Sequence, residues 1–306
     1  MADAIAQVRD LTHRYPEVTA LDGLVLDVFP GVTGLVGANG AGKTTFLRVL
    51  LGLVRPTAGQ VRVMGYNTFS DPVAVRSLVG YMPEGRCLPP DQTAADFVAY
   101  TAELAGVPPK DARRRASEVL FLVGLDEERF RMLGTFSTGM AQRVKLAQAI
   151  VHGPKLVLLD EPASGLDPAG RSEMLELVRR LGSFGINVII SSHILSDIEE
   201  TCTNVVMLDG GKLVRVAAVG GRRSKGVLNL EVLGEIAPVA EALKKAGYDS
   251  TTSVEDILTL KGADDKALDI IRDTAALSGL GIVRLTSESF SLEEEFLESA
   301  RGNGNA

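Results

Sequence analysis

The sequence predicts an α/β protein built on a parallel sheet, followed by a smaller α+β unit. Three observations carry this. Short, largely apolar runs, Val32–Val36, Leu156–Leu159 and Val188–Ile190, are separated by long helical stretches, the pattern of strands buried on both faces. A glycine-rich turn follows the first run and opens a helix over Thr44–Leu51. Beyond residue 226 the pattern changes to short strands and two helices.

Residues 1–30 alternate apolar and polar side chains and read as strands. Residues 92–152 place apolar positions three and four apart and read as mostly helical. Gly220–Gly226 reads as a linker. After it come a strand at Val227–Leu233, a helix at Pro238–Ala246 stopped by Gly247, and a strand pair within 248–261. A helix follows over Asp264–Leu277 with Asp264 as N-cap, then a strand at Ile282–Leu285. The order βαββαβ is that of a ferredoxin-like domain. Domain limits of 1–220, 221–226 (linker) and 227–300 follow, with 301–306 as a frayed tail.

Composition narrows the class. The chain has 306 residues, 45% apolar and 23% charged, enough for a real core. A net charge of -7 and a pI near 5.2, with 5% aromatics and no Trp, argue against a nucleic-acid partner. Cys87 and Cys202 lack metal-ligand spacing and fit a cytosolic chain. The N-terminal segment does not read as a signal peptide, and no apolar run approaches the ~18–20 residues that span a bilayer. Any work at a membrane then requires a tether supplied by another protein.

The segment Gly37-Ala-Asn-Gly-Ala-Gly-Lys-Thr44 fits G-x-x-x-x-G-K-[ST]. Gly37, Asn39, Gly40, Ala41 and Gly42 turn the backbone so that N–H groups converge on phosphate oxygens, and Lys43 adds a mobile cation. The Thr44 hydroxyl is suited to ligate Mg²⁺, and Thr45 completes the loop. The second apolar strand ends Leu159-Asp160-Glu161-Pro162. An acid delivered to the carboxyl edge of the sheet suits a counter-ligand for Mg²⁺, the role expected of Asp160. Glu161 is placed to orient or deprotonate a water. These residues together describe a P-loop NTPase using ATP and Mg²⁺.

Phe136-Ser-Thr-Gly-Met140 resembles the signature motif of ATP-binding cassette proteins, usually written LSGGQ, keeping Ser137 and the second glycine, Gly139. Met140 departs from the pattern, because its side chain cannot repeat a hydrogen bond made by glutamine. The resemblance covers about residues 5–220 and implies an ABC-ATPase fold: a mixed sheet core with antiparallel β and helical subdomains, the latter at about 88–152. It implies that Tyr15 stacks on adenine and that Glu84, in place of the family's glutamine, reaches Mg²⁺ or the attacking water. It further implies that Asp167, in Ser164-Gly-Leu-Asp167, lies in a loop crossing between two ATP sites, and that His193 contacts the γ-phosphate. His13 and His152 have no such place and read as structural. Ser291–Leu297 is similar to the ending common in exporter cassettes.

Family architecture implies a head-to-tail sandwich dimer, with a second copy or a paralogous cassette. Each ATP is held by Gly37–Thr44 of one chain and Ser137–Gly139 of the other. The expected function is the ATP-hydrolysing subunit of a transporter, peripheral on the cytoplasmic face through an integral membrane permease and leaning to export. Residues 85–105 are expected to meet that permease. The rival reading is a cassette ATPase of ribosomes or DNA, but the sequence has neither a second cassette nor coiled coils or zinc cysteines.

Overall fold

The computed structural model describes residues 3–85, 87–219, 224–253 and 257–289. The chain divides into two compact units, Met1–Gly220 and Gly221–Ala306.

The first unit opens with β1 (Ala6–Arg14), β2 (Thr19–Val28) and β3 (Val32–Val36), then α1 (Lys43–Leu50), β4 (Ala58–Val63), β5 (Tyr66–Asn67), α2 (Pro72–Leu78) and β6 (Val79–Met82). Three helices follow, α3 (Ala94–Leu104), α4 (Pro109–Leu122) and α5 (Thr138–Ile150). The unit closes with β7 (Leu156–Leu159), α6 (Pro168–Ser183), β8 (Asn187–Ser192), α7 (Leu195–Thr201), β9 (Asn204–Asp209) and β10 (Lys212–Ala218).

Two sheets result. One is antiparallel, ordered β2-β1-β4-β5; the other is ordered β10-β9-β3-β8-β7-β6. In the second, β9, β3, β8, β7 and β6 run parallel and β10 turns back against β9. Every residue of β3 and β7 is buried, Thr33 included, which is why these segments read as largely apolar runs. β1 instead alternates, with Ala6 and Val8 inward and Gln7 outward. A single core joins both sheets through α1, whose Phe46, Leu47 and Leu50 are buried. Each such side chain contributes about 1.5–3 kcal/mol relative to an exposed position. This packing fixes the helix that opens at the glycine-rich loop.

Helices α3, α4 and α5 pack on one another and α5 also packs on β6. Buried alanines, Ala94, Ala102, Ala112 and Ala116 among them, let these helices approach closely. The helical character expected of 92–152 is thus found.

The second unit comprises β11 (Ser224–Leu233), α8 (Ala237–Lys245), β12 (Asp249–Thr252), β13 (Ile257–Lys261), α9 (Asp265–Leu277) and β14 (Gly281–Ser289). Its sheet is antiparallel throughout and ordered β12-β13-β11-β14, the ferredoxin-like arrangement. Leu228, Leu230, Leu258 and Leu260 face Val239 and Leu243 of α8 and Ala267 and Ile271 of α9. The spacing of two on strands and four on helices puts each set on one face. Asp264 caps α9, accepting from the Ala267 N–H at 3.0 Å.

One boundary needs correction. The stretch Gly220–Gly226 read as linker, yet β11 already begins at Ser224, which pairs with Ser289 across a register shift before Val227. Cross-strand hydrogen bonds to β14 outweigh the local glycine and charge content there. Residues 220–223 of that stretch, the ending at 291–297 and the tail at 301–306 lie outside the described residues.

Candidate nucleotide site

The carboxyl ends of four adjacent parallel strands, in the order β3-β8-β7-β6, converge on one edge of the sheet. Strand β3 ends in the glycine-rich loop and β8 in Ser191-Ser192-His193. Strand β7 runs into Asp160-Glu161, and β6 leads to Glu84. Loops at such an edge are where open α/β sheets bind ligands.

The loop depends on two glycines. A Cβ on Gly37 would lie 2.4 Å from the Leu208 carbonyl oxygen, a backbone atom that cannot move aside. Gly42 caps α1 with φ +98°, and a Cβ there would meet the Ala20 carbonyl oxygen at 2.4 Å. A glycine cap supplies no side-chain acceptor, so the first N–H groups of α1 keep their capacity for an anion. Ala38, Asn39 and Gly40 are exposed, whereas Ala41 and Thr45 are buried. Lys43 is 7% exposed, and its Nζ donates to the Gly37 carbonyl at 2.7 Å and the Ala38 carbonyl at 3.4 Å.

A buried acidic cluster faces this loop. Asp160 Oδ1 accepts from Thr44 Oγ1 at 3.2 Å and from Ser191 Oγ at 2.8 Å. Ser191 Oγ in turn accepts from the Glu161 N–H at 2.8 Å. Glu161 Oε1 lies 3.3 Å from Lys43 Nζ, and Glu161 Oε2 lies 3.0 Å from His193 Nδ1. The Glu161 backbone is left-handed, with φ +48°, a conformation costing about 1–3 kcal/mol at a non-glycine residue. The Ser191 hydroxyl holds that turn. Lys43, Thr44, Asp160, Glu161 and His193 are therefore linked in one network, with His193 about half exposed at its rim.

Glu84 stands apart from the network on an exposed bend after β6. Tyr81, three residues earlier, lies 3.5 Å from Asp160 Oδ2 through its hydroxyl. Burial, and then the Asp160 charge, push that phenol up to about 12. Lys145 of α5 is buried, and its Nζ donates to the Gly85 carbonyl at 2.9 Å. Burial lowers its pKa, against the opposing pull of Cys87, Glu84 and Asp160.

Tyr15 is 40% exposed at the end of the antiparallel sheet. His13 packs edge-on against it at 4.6 Å between ring centroids and is anchored through Nδ1 to the Arg55 carbonyl at 3.0 Å. His152 is half-buried, with a pKa lowered by burial. Ser137 caps α5, accepting from the Met140 N–H at 3.3 Å, and Asp167 caps α6, accepting from the Gly170 N–H at 3.1 Å. Ser137, Gly139 and Asp167 border an open depression of about 650 Å³ that no residue of the 37–45 loop lines. The expected site residues thus fall into two groups on this chain.

Sequence reading missed Ser191, Tyr81, Gln142 and Lys145. Ser191 was legible in principle, since it immediately precedes Ser192-His193 at a strand end. Gln142, whose Nε2 donates to the Ser164 carbonyl at 3.2 Å, and Lys145 look like ordinary helix-surface residues until α5 is seated.

The family model for ABC transporters matches residues 21–164. A bacitracin transport ATP-binding protein of Bacillus licheniformis is 40% identical over 212 residues, covering 69% of this chain and 68% of that protein. A daunorubicin/doxorubicin resistance ATP-binding protein of Streptomyces peucetius is 32% identical over 298 residues, 94% of this chain and 88% of the relative. Among solved structures, an ATP-binding subunit of an ABC transporter matches with a TM-score of 0.63 and 28% identity, over 70% of this chain and 90% of that one. An ADP- and phosphate-bound cassette dimer matches at TM-score 0.64 over 70% of this chain and 98% of that one; at 22% identity it speaks to fold alone. No helix among the described residues is long and apolar enough to cross a membrane, and subunits of this kind work as dimers with membrane permeases. With a phosphate-type loop facing a buried acidic cluster and relatives matched along most of their length, the chain belongs to the ABC transporter family, as an ATP-binding, ATP-hydrolysing subunit.

Proposed function

We propose that residues 1–220 form a cassette that hydrolyses ATP between two chains arranged head to tail, to drive export through a separate permease. The network joining Lys43, Thr44, Asp160, Glu161 and His193 carries this reading. Gly37, Asn39, Gly40, Ala41, Gly42 and Thr45 shape the loop around the phosphates, and Lys43 meets their negative charge. Tyr15, braced by His13, offers its ring to adenine.

Thr44 and Asp160 offer hard oxygen donors 3.2 Å apart, a fit to Mg²⁺. The described residues contain no group of three acidic, His or Cys ligands. That suits an ion held mainly by phosphate and water. Bound there, Mg²⁺ would neutralise phosphate charge. Glu84 is the further carboxylate assigned to the ion or to the attacking water. Glu161 orients the water and accepts its proton, and His193 holds the Glu161 carboxylate and reaches toward the γ-phosphate.

Ser137 and Gly139, with Asp167 beside them, present the start of α5 to the nucleotide of the other chain, itself a second copy or a paralogue. The permease would meet residues 85–105, where Tyr100 and Leu104 are exposed. That contact would hold the cassette at the cytoplasmic face. Relatives named for bacitracin transport and daunorubicin/doxorubicin resistance support export as the direction.

Light scattering of the Glu161→Gln chain with saturating Mg-ATP tests the reading. A dimer that reverts to monomer without nucleotide is expected. A strict monomer, even beside the permease, would overturn it.

A further inference from the structure

Lys145 is 3% exposed, and among the described residues its ammonium makes one hydrogen bond, to the Gly85 carbonyl at 2.9 Å. Desolvating an ammonium is expensive, and an apolar side chain of similar volume usually packs as well or better. Stability alone is therefore a poor reason for a lysine here. Its location supplies a better one. Lys145 sits on α5, the helix that begins at Ser137 and Gly139, and it holds the loop that carries Glu84. One turn earlier, Gln142 ties the same helix to the Ser164 carbonyl, in the loop after Glu161. Both loops leading from the sheet edge are thus fastened to one helix.

We propose that Lys145 is a positioning residue that tethers the Glu84 loop to α5, so that engagement of Ser137 and Gly139 by a second chain's nucleotide sets the position of Glu84. The proposal rests on the roles assigned above to Glu84 and to the start of α5. Lys145 touches no reacting atom; it acts through the Gly85 carbonyl.

Cys87 is a built-in reporter, exposed and two residues beyond Gly85. Cys202 is buried and its thiol is pushed up to about 12, so it stays silent to a maleimide. In the full chain carrying a maleimide spin label on Cys87, Lys145→Met should mobilise the label and narrow its spectrum, because the charge-assisted hydrogen bond that holds the loop is lost. The spectrum reads motion of the loop rather than access to the thiol, since Cys87 is exposed. Lys145→Met should also lower kcat for ATP about tenfold with little change in KM, because loop 37–45 is untouched. Lys145→Gln, too short to reach Gly85, provides a second removal should Lys145→Met fail to fold, and Lys145→Arg should restore both readouts. A wild-type spectrum in a folded Met or Gln variant would overturn the tether, and a mobilised label with undiminished kcat would overturn its coupling to hydrolysis. Wild-type kcat in Glu84→Ala would sink the role given to Glu84, whereas the tether stands or falls on Cys87 alone.

Discussion

The loop at 37–45 and the start of α5 both offer helix N-termini to an anion, but they are built in opposite ways. Around the first, Asp160, Glu161, Ser191 and Lys43 are buried and mutually bonded. Around the second, Ser137 is exposed and Gly139 half exposed, beside an open depression. Preorganised dipoles in a low-dielectric setting do chemical work. An exposed helix start with capped geometry is a surface for recognition. The contrast teaches that, on the function proposed above, one chain carries a closed, bonded half-site and an open one, which nucleotide would join.

The comparison can be broken most severely at Glu161. Glu161→Gln should slow phosphate release by roughly 10²–10⁴-fold, as for loss of a general base, while nucleotide binding persists. A wild-type rate in a phosphate-release assay would remove Glu161 from the chemistry.

Paired glycine substitutions sharpen it next. Gly37→Ala forces a Cβ against the Leu208 carbonyl and should cost about 1–3 kcal/mol in a denaturant melt, with loss of ATP binding. Gly139→Ala meets only Leu166 at 3.8 Å and should stabilise the isolated chain by up to about 1 kcal/mol. It should weaken ATP-driven pairing all the same. Equal effects of the two on folding would erase the distinction between a closed and an open site.

Ser137→Ala removes the α5 cap and should cost about 1 kcal/mol of stability, measured by thermal melts. Binding of ATP by the single chain should be unchanged, and sedimentation should show weaker dimers.

The smallest effect concerns pH. The folded chain sheds the Lys145 proton at a lower pH than the unfolded chain, whose lysines titrate near 10.5. This group's contribution therefore improves as pH rises toward 10.5 and worsens as pH falls. The Tm of the wild type relative to Lys145→Met should climb as pH rises from the folded-state pKa of Lys145 to 10.5. A flat difference would show that Lys145 is not desolvated.

Much of the network joining Lys43, Thr44, Asp160, Glu161 and His193 was legible because its residues are neighbours in sequence or sit at strand ends. Lys43 and Thr44 are contiguous, Asp160 and Glu161 follow an apolar run, and His193 follows another. Ser191 escaped notice because serine before a histidine carries no charge signal, although its hydroxyl bridges Asp160 and the Glu161 N–H. The start of β11 at Ser224 was hidden because pairing with β14, more than sixty residues away, is not a local property.

The sequence by itself determined the strand and helix order, the phosphate loop and the acids beside it, because turn chemistry and periodicity are written in adjacent residues. Tertiary structure alone decided which strand ends become neighbours. Packing seated α5 on β6, and so made Lys145 a buried partner of the Gly85 carbonyl rather than a solvated side chain. The physical reason is that burial and hydrogen-bond partnership across distant segments arise only when the chain closes on its core.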